Sequence, residues 1–219
     1  MEEIPLAKMT NQQIISRIIA MEERLSSCTR CTSRRRCVNK PATGKGDLDP
    51  DILLVFQSQR DMKNDMKQII AIRQMLKNSF SLDKIYHTFL VRCQPKSCTH
   101  IENLNCNSAK SLIDQEQNCR ISKTICEGIP MVPGDIEIIS CLHYLIEEID
   151  LLSPHIVILF GERVGYFVLR AMGIFDSLST PGLYMKNGQY IFTTIEENNF
   201  NSEVSTELAS YITANRALA

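Results

Sequence analysis

The chain has 219 residues, of which 44% are hydrophobic and 22% charged, and its formal net charge is −1. These proportions are those of a globular protein, and the length predicts a single domain over residues 1–219. The sequence lacks both an apolar run long enough to span a membrane and the pattern of a signal peptide. The near-neutral charge gives no general reason to expect nucleic-acid binding. We therefore expect an intracellular protein, either cytoplasmic or associated with the nucleoid or nucleus.

Apolar patterning predicts strands that alternate with helices. The predicted strands cover 51–56, 85–91, 155–160 and 189–194. The predicted helices cover 11–26, 62–77, 135–152, 162–172 and the chain from about 202 onward. Continuous apolar strands that alternate with helices are typical of a parallel sheet covered on both faces. We predict a three-layer α/β sandwich around a central, mainly parallel, four-stranded sheet.

Four of the nine cysteines lie at the ends or within the bodies of these elements. Cys28 and Cys31 form a CxxC pair after the first helix, Cys93 follows the second strand, and Cys141 lies inside a later helix. In a reducing compartment metal ligation is a better default than disulfide formation. Four thiolates are the ligand set of iron–sulfur clusters and also of structural zinc. We predict that these four cysteines bind metal.

We predict that residues 96–135 form a cysteine-rich insertion within the domain. The segment is rich in Asn, Ser, Lys and Cys, and it ends in prolines and a glycine. Its cysteines are Cys98, Cys106, Cys119 and Cys126, and His100 lies among them. Their spacing matches no zinc-finger pattern. They form either a second metal site or thiols of a loop, and a protein partner could dock on this segment.

The loop after the CxxC pair is basic. Residues 28–46 contain six basic residues and no acid. Its candidate nucleic-acid contacts are Arg34, Arg35, Arg36, Lys40 and Lys45. Such side chains bind phosphate without reading base sequence, although a charge run is also the ordinary surface of a solvated loop.

Polar residues follow the predicted strands where a ligand would bind. In open parallel sheets, ligands lie beyond the carboxyl ends of the strands. The candidate mouth of a site therefore consists of 57–61, 92–95, 161–163 and 195–198. The carboxylates available there for acid–base chemistry are Asp61, Asp65, Glu196 and Glu197.

The order of these features resembles the iron–sulfur (family 4) uracil-DNA glycosylases. In that family a CxxC helix precedes a loop of type V-P-G-E-G and an apolar strand, to which residues 42–55 are similar. The family's second-strand motif V-Y-I-T-N-V-V-K-C-R-P resembles I-Y-H-T-F-L-V-R-C-Q-P at 85–95. Residues 141–161 are similar to a third part of the family pattern, which consists of a cysteine helix, L-x-P and an apolar strand ending in glycine. The resemblance covers most of 12–200 outside the insertion. It implies that a [4Fe–4S] cluster is held by Cys28, Cys31, Cys93 and Cys141.

The family's catalytic motifs differ in this chain. Its G-E-A-P-G motif falls on F-Q-S-Q-R at 56–60, its pocket asparagine on Phe89, and its T-Y-H-P motif on T-I-E-E at 194–197. Phenylalanine and arginine prevent the close backbone approach that glycine permits, and a glutamate at 196 would repel an anionic leaving base. The resemblance therefore implies a vestigial pocket without glycosylase chemistry. Its residues are Gln57, Gln59, Asp61, Phe89 and Glu196.

The sequence thus predicts an iron–sulfur protein of the uracil-DNA glycosylase superfamily that acts as a nucleic-acid-binding or assembly module. One alternative is a divergent glycosylase for uracil or another damaged base, in which Phe89 stacks on the base and Gln57 or Gln59 binds its edge. Another is a protein-interaction subunit with a Cys₄ zinc site and no nucleic acid.

Overall fold

The computed structural model describes residues 9–31, 41, 43–58, 62–93, 96–97, 118–119, 123–124 and 129–216. Its helices are α1 (Asn11–Ser26), α2 (Met62–Phe80), α3 (Asp135–Leu152), α4 (Glu162–Ala171) and α5 (Ser202–Arg216), with a 3₁₀ turn at Glu197–Asn199. Its strands are β1 (Lys45–Gly46), β2 (Ile52–Phe56), β3 (Ile85–Phe89), β4 (Lys96–Ser97), β5 (Ile129–Pro130), β6 (Ile156–Phe160), β7 (Gly182–Lys186) and β8 (Gln189–Thr194). None of the helices described is both long and apolar enough to cross a membrane.

The main sheet has six strands in the order β1-β3-β2-β6-β8-β7. The four central strands are parallel, and β1 and β7 add to the two edges in antiparallel register. The prediction of a mainly parallel α/β sheet is confirmed, but the number of four strands is wrong. Both missed strands are edge strands, which carry less of the continuous apolar pattern that marks a buried strand.

Helices cover both faces of this sheet. Leu53 and Val55 of β2 pack into a core with residues of α1, α3 and α4. Their neighbours Ile52 and Leu54 pack on the opposite face, in a core that includes residues of α2 and α5. Successive strand side chains point to opposite faces, so a strand buried on both sides needs the unbroken apolar run that the sequence contains.

Several apolar side chains of the helices lie at the surface. Ile15 and Ile19 of α1 and Ile139 of α3 are 44%, 51% and 62% exposed. The buried stripe of α1 is therefore narrow, and consists of Ile14, Met21 and Leu25.

The two ends of the predicted insertion pair with each other. Strand β4 is antiparallel to β5 in a separate two-stranded sheet. This pairing brings the chain before and after residues 98–128 to the same place.

Candidate functional site

The CxxC pair begins directly after the last turn of α1. The backbone N–H of Cys28 donates to the carbonyl oxygen of Leu25 at 3.1 Å, so the helix itself positions this thiol. Cys28 is half-buried and packs against Met21, Leu25 and Tyr144. Burial, followed by a hydrogen bond to the Cys28 sulfur, raises the pKa of the Tyr144 phenol. Tyr144 belongs to α3, so this contact joins the pair to that helix.

Cys141 lies between the CxxC pair and the end of β3. It is buried on α3 and hydrogen-bonds to the backbone at Arg92, one residue before the buried Cys93. Burial is the largest cause that raises the pKa of the Cys141 thiol, and the nearby sulfurs of Cys31 and Cys28 raise it further. Cys141 thus lies near the CxxC pair and near the backbone that precedes Cys93.

The donor set in this region is compatible with a multi-iron cluster. The five cysteines in the described part of the chain are thiols, not disulfides. Within those same residues, no three His, Cys, Asp or Glu side chains converge as ligands of one metal ion. A [4Fe–4S] cluster does not need its ligands to converge on one ion, since its four cysteine thiolates each bind a different iron. A buried N–H without a partner, Arg92 Nε, lies in the residue next to Cys93.

The predicted second metal site falls largely outside the described residues. Cys98, Cys106, Cys126 and His100 are not described, whereas Cys119 is buried. The Cys119 backbone exchanges 2.7 Å hydrogen bonds with Lys123 and Thr124, which form a tight turn around it.

A buried carboxylate near the cysteines is the functional feature that the sequence analysis missed. Glu148 of α3 is fully buried, and its Oε2 lies 2.7 Å from Arg92 Nη2. Burial alone would raise the pKa of Glu148, but Arg92 and the hydrogen bond from Thr88 outweigh it and lower that pKa. The burial of Glu148 could have been predicted from its position on the helix. It lies seven residues after Cys141 and between the inward residues Leu145 and Ile149.

Aromatic rings occupy the carboxyl ends of the central strands. Phe56 stacks on Phe160 with ring centroids 4.6 Å apart, and Phe89 lies 6.2 Å from Phe56. Phe200 closes the group against Phe160 at 5.2 Å. These four residues, the phenylalanine cluster, fill the space at the carboxyl ends of the central strands on this face of the sheet.

Of the remaining residues of the predicted pocket, the structure describes Gln57 and Glu196. Gln57 is half-buried, and its carbonyl oxygen accepts a 3.0 Å hydrogen bond from the Val91 backbone N–H. Glu196 is exposed and precedes the 3₁₀ turn. Gln59 and Asp61 lie outside the described residues.

Three acidic residues lie at this end of the sheet among the described residues. Glu162, Glu196 and Glu197 follow the adjacent strands β6 and β8. The nearby Arg163 donates to Asp135 and to the Pro133 carbonyl oxygen, each at 2.6 Å.

The basic loop is described in part, at residues 28–31, 41 and 43–46. Lys45 is exposed on the edge strand β1, opposite His87 of β3. Arg34, Arg35, Arg36 and Lys40 are not among the described residues.

A groove of about 700 Å³ lies away from the sheet edge, between α1 and α3. Leu142, Ile146 and the exposed Ile139 contribute apolar surface, and Arg17 and Asp150 contribute charge. Burial raises the pKa of the Asp150 carboxyl group. No motif in the sequence had pointed to this groove.

The fold and the site define a mixed α/β protein with a six-stranded, mostly parallel sheet and a thiol-rich corner. No protein-family model matches the sequence, and no curated protein matches it.

Proposed function

We propose that this chain is an iron–sulfur protein of the uracil-DNA glycosylase superfamily whose catalytic motifs are degenerate, and that it acts as a nucleic-acid-binding or assembly module. The observation that carries the proposal is the position of Cys141. Its sulfur contacts the backbone beside Cys93 and lies within electrostatic range of Cys28 and Cys31. The family resemblance would require the four cysteines to share one corner of the fold, and these contacts of Cys141 support that expectation.

The cluster would be held by Cys28, Cys31, Cys93 and Cys141. When bound, it would cross-link α1, the end of β3 and α3, and it could carry an electron. Metal binding contributes to folding free energy when the site forms only in the folded state. We therefore assign the cluster a structural role in this chain.

Two features support the loss of base excision. The phenylalanine cluster fills the sheet edge, whereas a flipped-base pocket needs polar groups that match the edge of the base. A carboxylate at Glu196 would also oppose charge that develops on a departing base. We expect no release of free base from oligonucleotides that carry uracil or other deaminated bases. Release from any of them would favour a divergent glycosylase.

The decisive experiment is the iron, sulfide and zinc content of protein purified without oxygen. The proposal predicts about four irons and about four sulfides per chain. Zinc without sulfide would contradict the cluster and favour a Cys₄ protein-interaction module. Cys93→Ala and Cys141→Ser should lose iron and solubility, whereas Cys119→Ser should retain both.

Nucleic-acid binding through the basic 28–46 loop requires its own test, because Arg34, Arg35 and Arg36 lie outside the described residues. Changing Arg34, Arg35 and Arg36 together to alanine should abolish a salt-sensitive gel shift with DNA or RNA. Lys67→Ala, an exposed lysine of α2, serves as the matched control. An unchanged gel shift would exclude the arginine run as the contact, and no shift at all would favour a role in protein assembly.

A further inference from the structure

The groove of about 700 Å³ between α1 and α3 has an apolar stripe along one helix. Ile139, Leu142 and Ile146 line it at positions i, i+3 and i+7 of α3, a spacing that places side chains on one face of a helix. Ile139 is 62% exposed, and Ile136, one turn before it, is 70% exposed. Contiguous exposed apolar surface of this kind is characteristic of a binding site, unlike single scattered residues.

A carboxylate at the end of this stripe has no counter-charge among the described residues. Asp150 lies one turn after Ile146 and also lines the groove. Arg17 lines the groove too, but it forms no ion pair with Asp150, whereas the neighbouring Glu147 lies 2.5 Å from Arg24. Burial raises the pKa of the Asp150 carboxyl group, and no cation in the described part of the chain opposes this effect. A segment with apolar residues followed by a basic residue would therefore match the groove.

The described chain begins at the groove itself. Met9 lines the groove and packs against the core that α1, α3 and α4 form. Residues 1–8, with the sequence M-E-E-I-P-L-A-K, precede Met9 and lie outside the described residues. Eight extended residues reach about 26 Å, whereas the stripe from Ile139 to Asp150 rises about 17 Å along the helix axis. A segment that ends at Met9 is therefore long enough to cover the stripe.

The sequence of this segment is complementary to the groove. Its Pro5 disfavours a helical conformation at the preceding residue, so an extended conformation is favoured there. In an extended chain, side chains two positions apart point to the same side. Ile4, Leu6 and Lys8 have this spacing, which gives two apolar side chains followed by an ammonium group. The groove offers apolar side chains and the carboxylate of Asp150.

We propose that residues 1–8 of this chain bind in the groove between α1 and α3, with Ile4 and Leu6 against the apolar stripe and Lys8 beside Asp150. The segment would then cover Ile139 and join the start of α1 to α3. This inference does not depend on the iron–sulfur cluster of the proposed function. The groove would accordingly be an internal docking surface of the fold.

The test uses fluorescence, because the chain contains no tryptophan and Leu6→Trp therefore introduces a single reporter. In the full chain its emission should be blue-shifted and protected from quenching by acrylamide. Adding Ile139→Asp should move the emission to that of a solvent-exposed tryptophan and restore quenching, since a carboxylate would then replace the apolar side chain. Ile70→Asp is the matched control, because Ile70 is a 61% exposed isoleucine of α2. It should leave the emission unchanged.

Two results would overturn the proposal. Solvent-exposed emission that is the same with and without Ile139→Asp would mean that the segment does not bind there, and would leave the groove to another protein. A blue shift that increases with protein concentration, together with a dimer in light scattering, would mean that the segment binds a second copy of the chain.

Thermal unfolding without the tryptophan provides a second measurement. Deleting residues 2–8 should lower the melting temperature. Ile139→Asp should lower it in the full chain but add little in the shortened chain, because two changes that remove the same contact are not additive. Equal losses from Ile139→Asp in the two proteins would contradict binding of the segment at Ile139.

Discussion

His87 provides a prediction about acid stability whose magnitude follows from its environment. It lies on β3, is 3% exposed, and its Nδ1 is 3.5 Å from Arg73 Nη1. Burial, followed by the positive charges of Arg73 and Lys45, lowers the pKa of His87 from 6.5 to about 4, although the charge of Glu148 opposes this. The folded protein therefore keeps this imidazole neutral under conditions in which the unfolded chain protonates it.

The sign of the effect follows from proton binding. Between pH 6.5 and about 4 the unfolded state binds more protons than the folded state, so stability falls as the pH falls. The difference between these two pKa values, at about 1.36 kcal/mol for each pH unit, corresponds to about 3 kcal/mol. Most of this loss should have occurred by about pH 4.5.

The assay compares urea unfolding of the wild type and His87→Gln at about pH 7 and about pH 4.5. The wild type should lose about 2–3 kcal/mol more than the variant over this interval. Other acid-sensitive groups, including Glu148, are common to both proteins and cancel in the comparison. Equal losses in the two proteins would refute the assignment of a neutral, buried His87.

Three further predictions concern packing, and thermal or urea unfolding measures each of them. Gly44→Ala should destabilise the fold, because a Cβ there would lie 2.4 Å from the carbonyl oxygen of His87. This oxygen belongs to the backbone and cannot move alone. A melting temperature equal to that of the wild type would contradict this contact. Leu53→Ala removes a fully buried side chain of the central sheet and should cost about 2–5 kcal/mol. Ile19→Ala, on the exposed side of α1, should change stability by less than about 0.5 kcal/mol, and a larger loss would mean that this surface is covered.

The central strands could be predicted from the sequence because a strand buried on both faces leaves an unbroken apolar run. The β7–β8 hairpin is marked in the sequence by a different feature, the turn residues between its strands. Asn187 and Gly188 both have positive φ angles, of 50° and 75°, and they connect the two antiparallel strands. Asn-Gly is the preferred pair for such a turn, so a second strand before Asn187 was predictable.

The cysteine framework and the buried ion pair differ in how visible they are in the sequence. Cysteine spacing is a local and rare pattern, so the CxxC pair of Cys28 and Cys31 could be selected from the sequence, whereas Cys93 and Cys141 were predicted as ligands from their positions after a strand and in a helix and from the family resemblance. Glutamate and arginine are mostly surface residues, and pairing between Arg92 and Glu148 depends on how α3 packs against β3. That packing joins residues 56 positions apart, and no local pattern encodes it.

The arrangement of the two cores is compatible with both parts of the proposed function, a retained metal site and the loss of base excision. Cys141 belongs to the core that α1, α3 and α4 form on one face of the sheet. Phe56, Phe160 and Phe200 belong to the core on the opposite face, where α2 and α5 pack. The two sets share only the backbone of the sheet, so apolar side chains can fill the sheet edge on one face without displacing thiols on the other. The same separation predicts that Phe89→Ala, at the edge of the phenylalanine cluster, should lower stability while leaving iron content unchanged; loss of iron in that variant would show that the two cores are coupled.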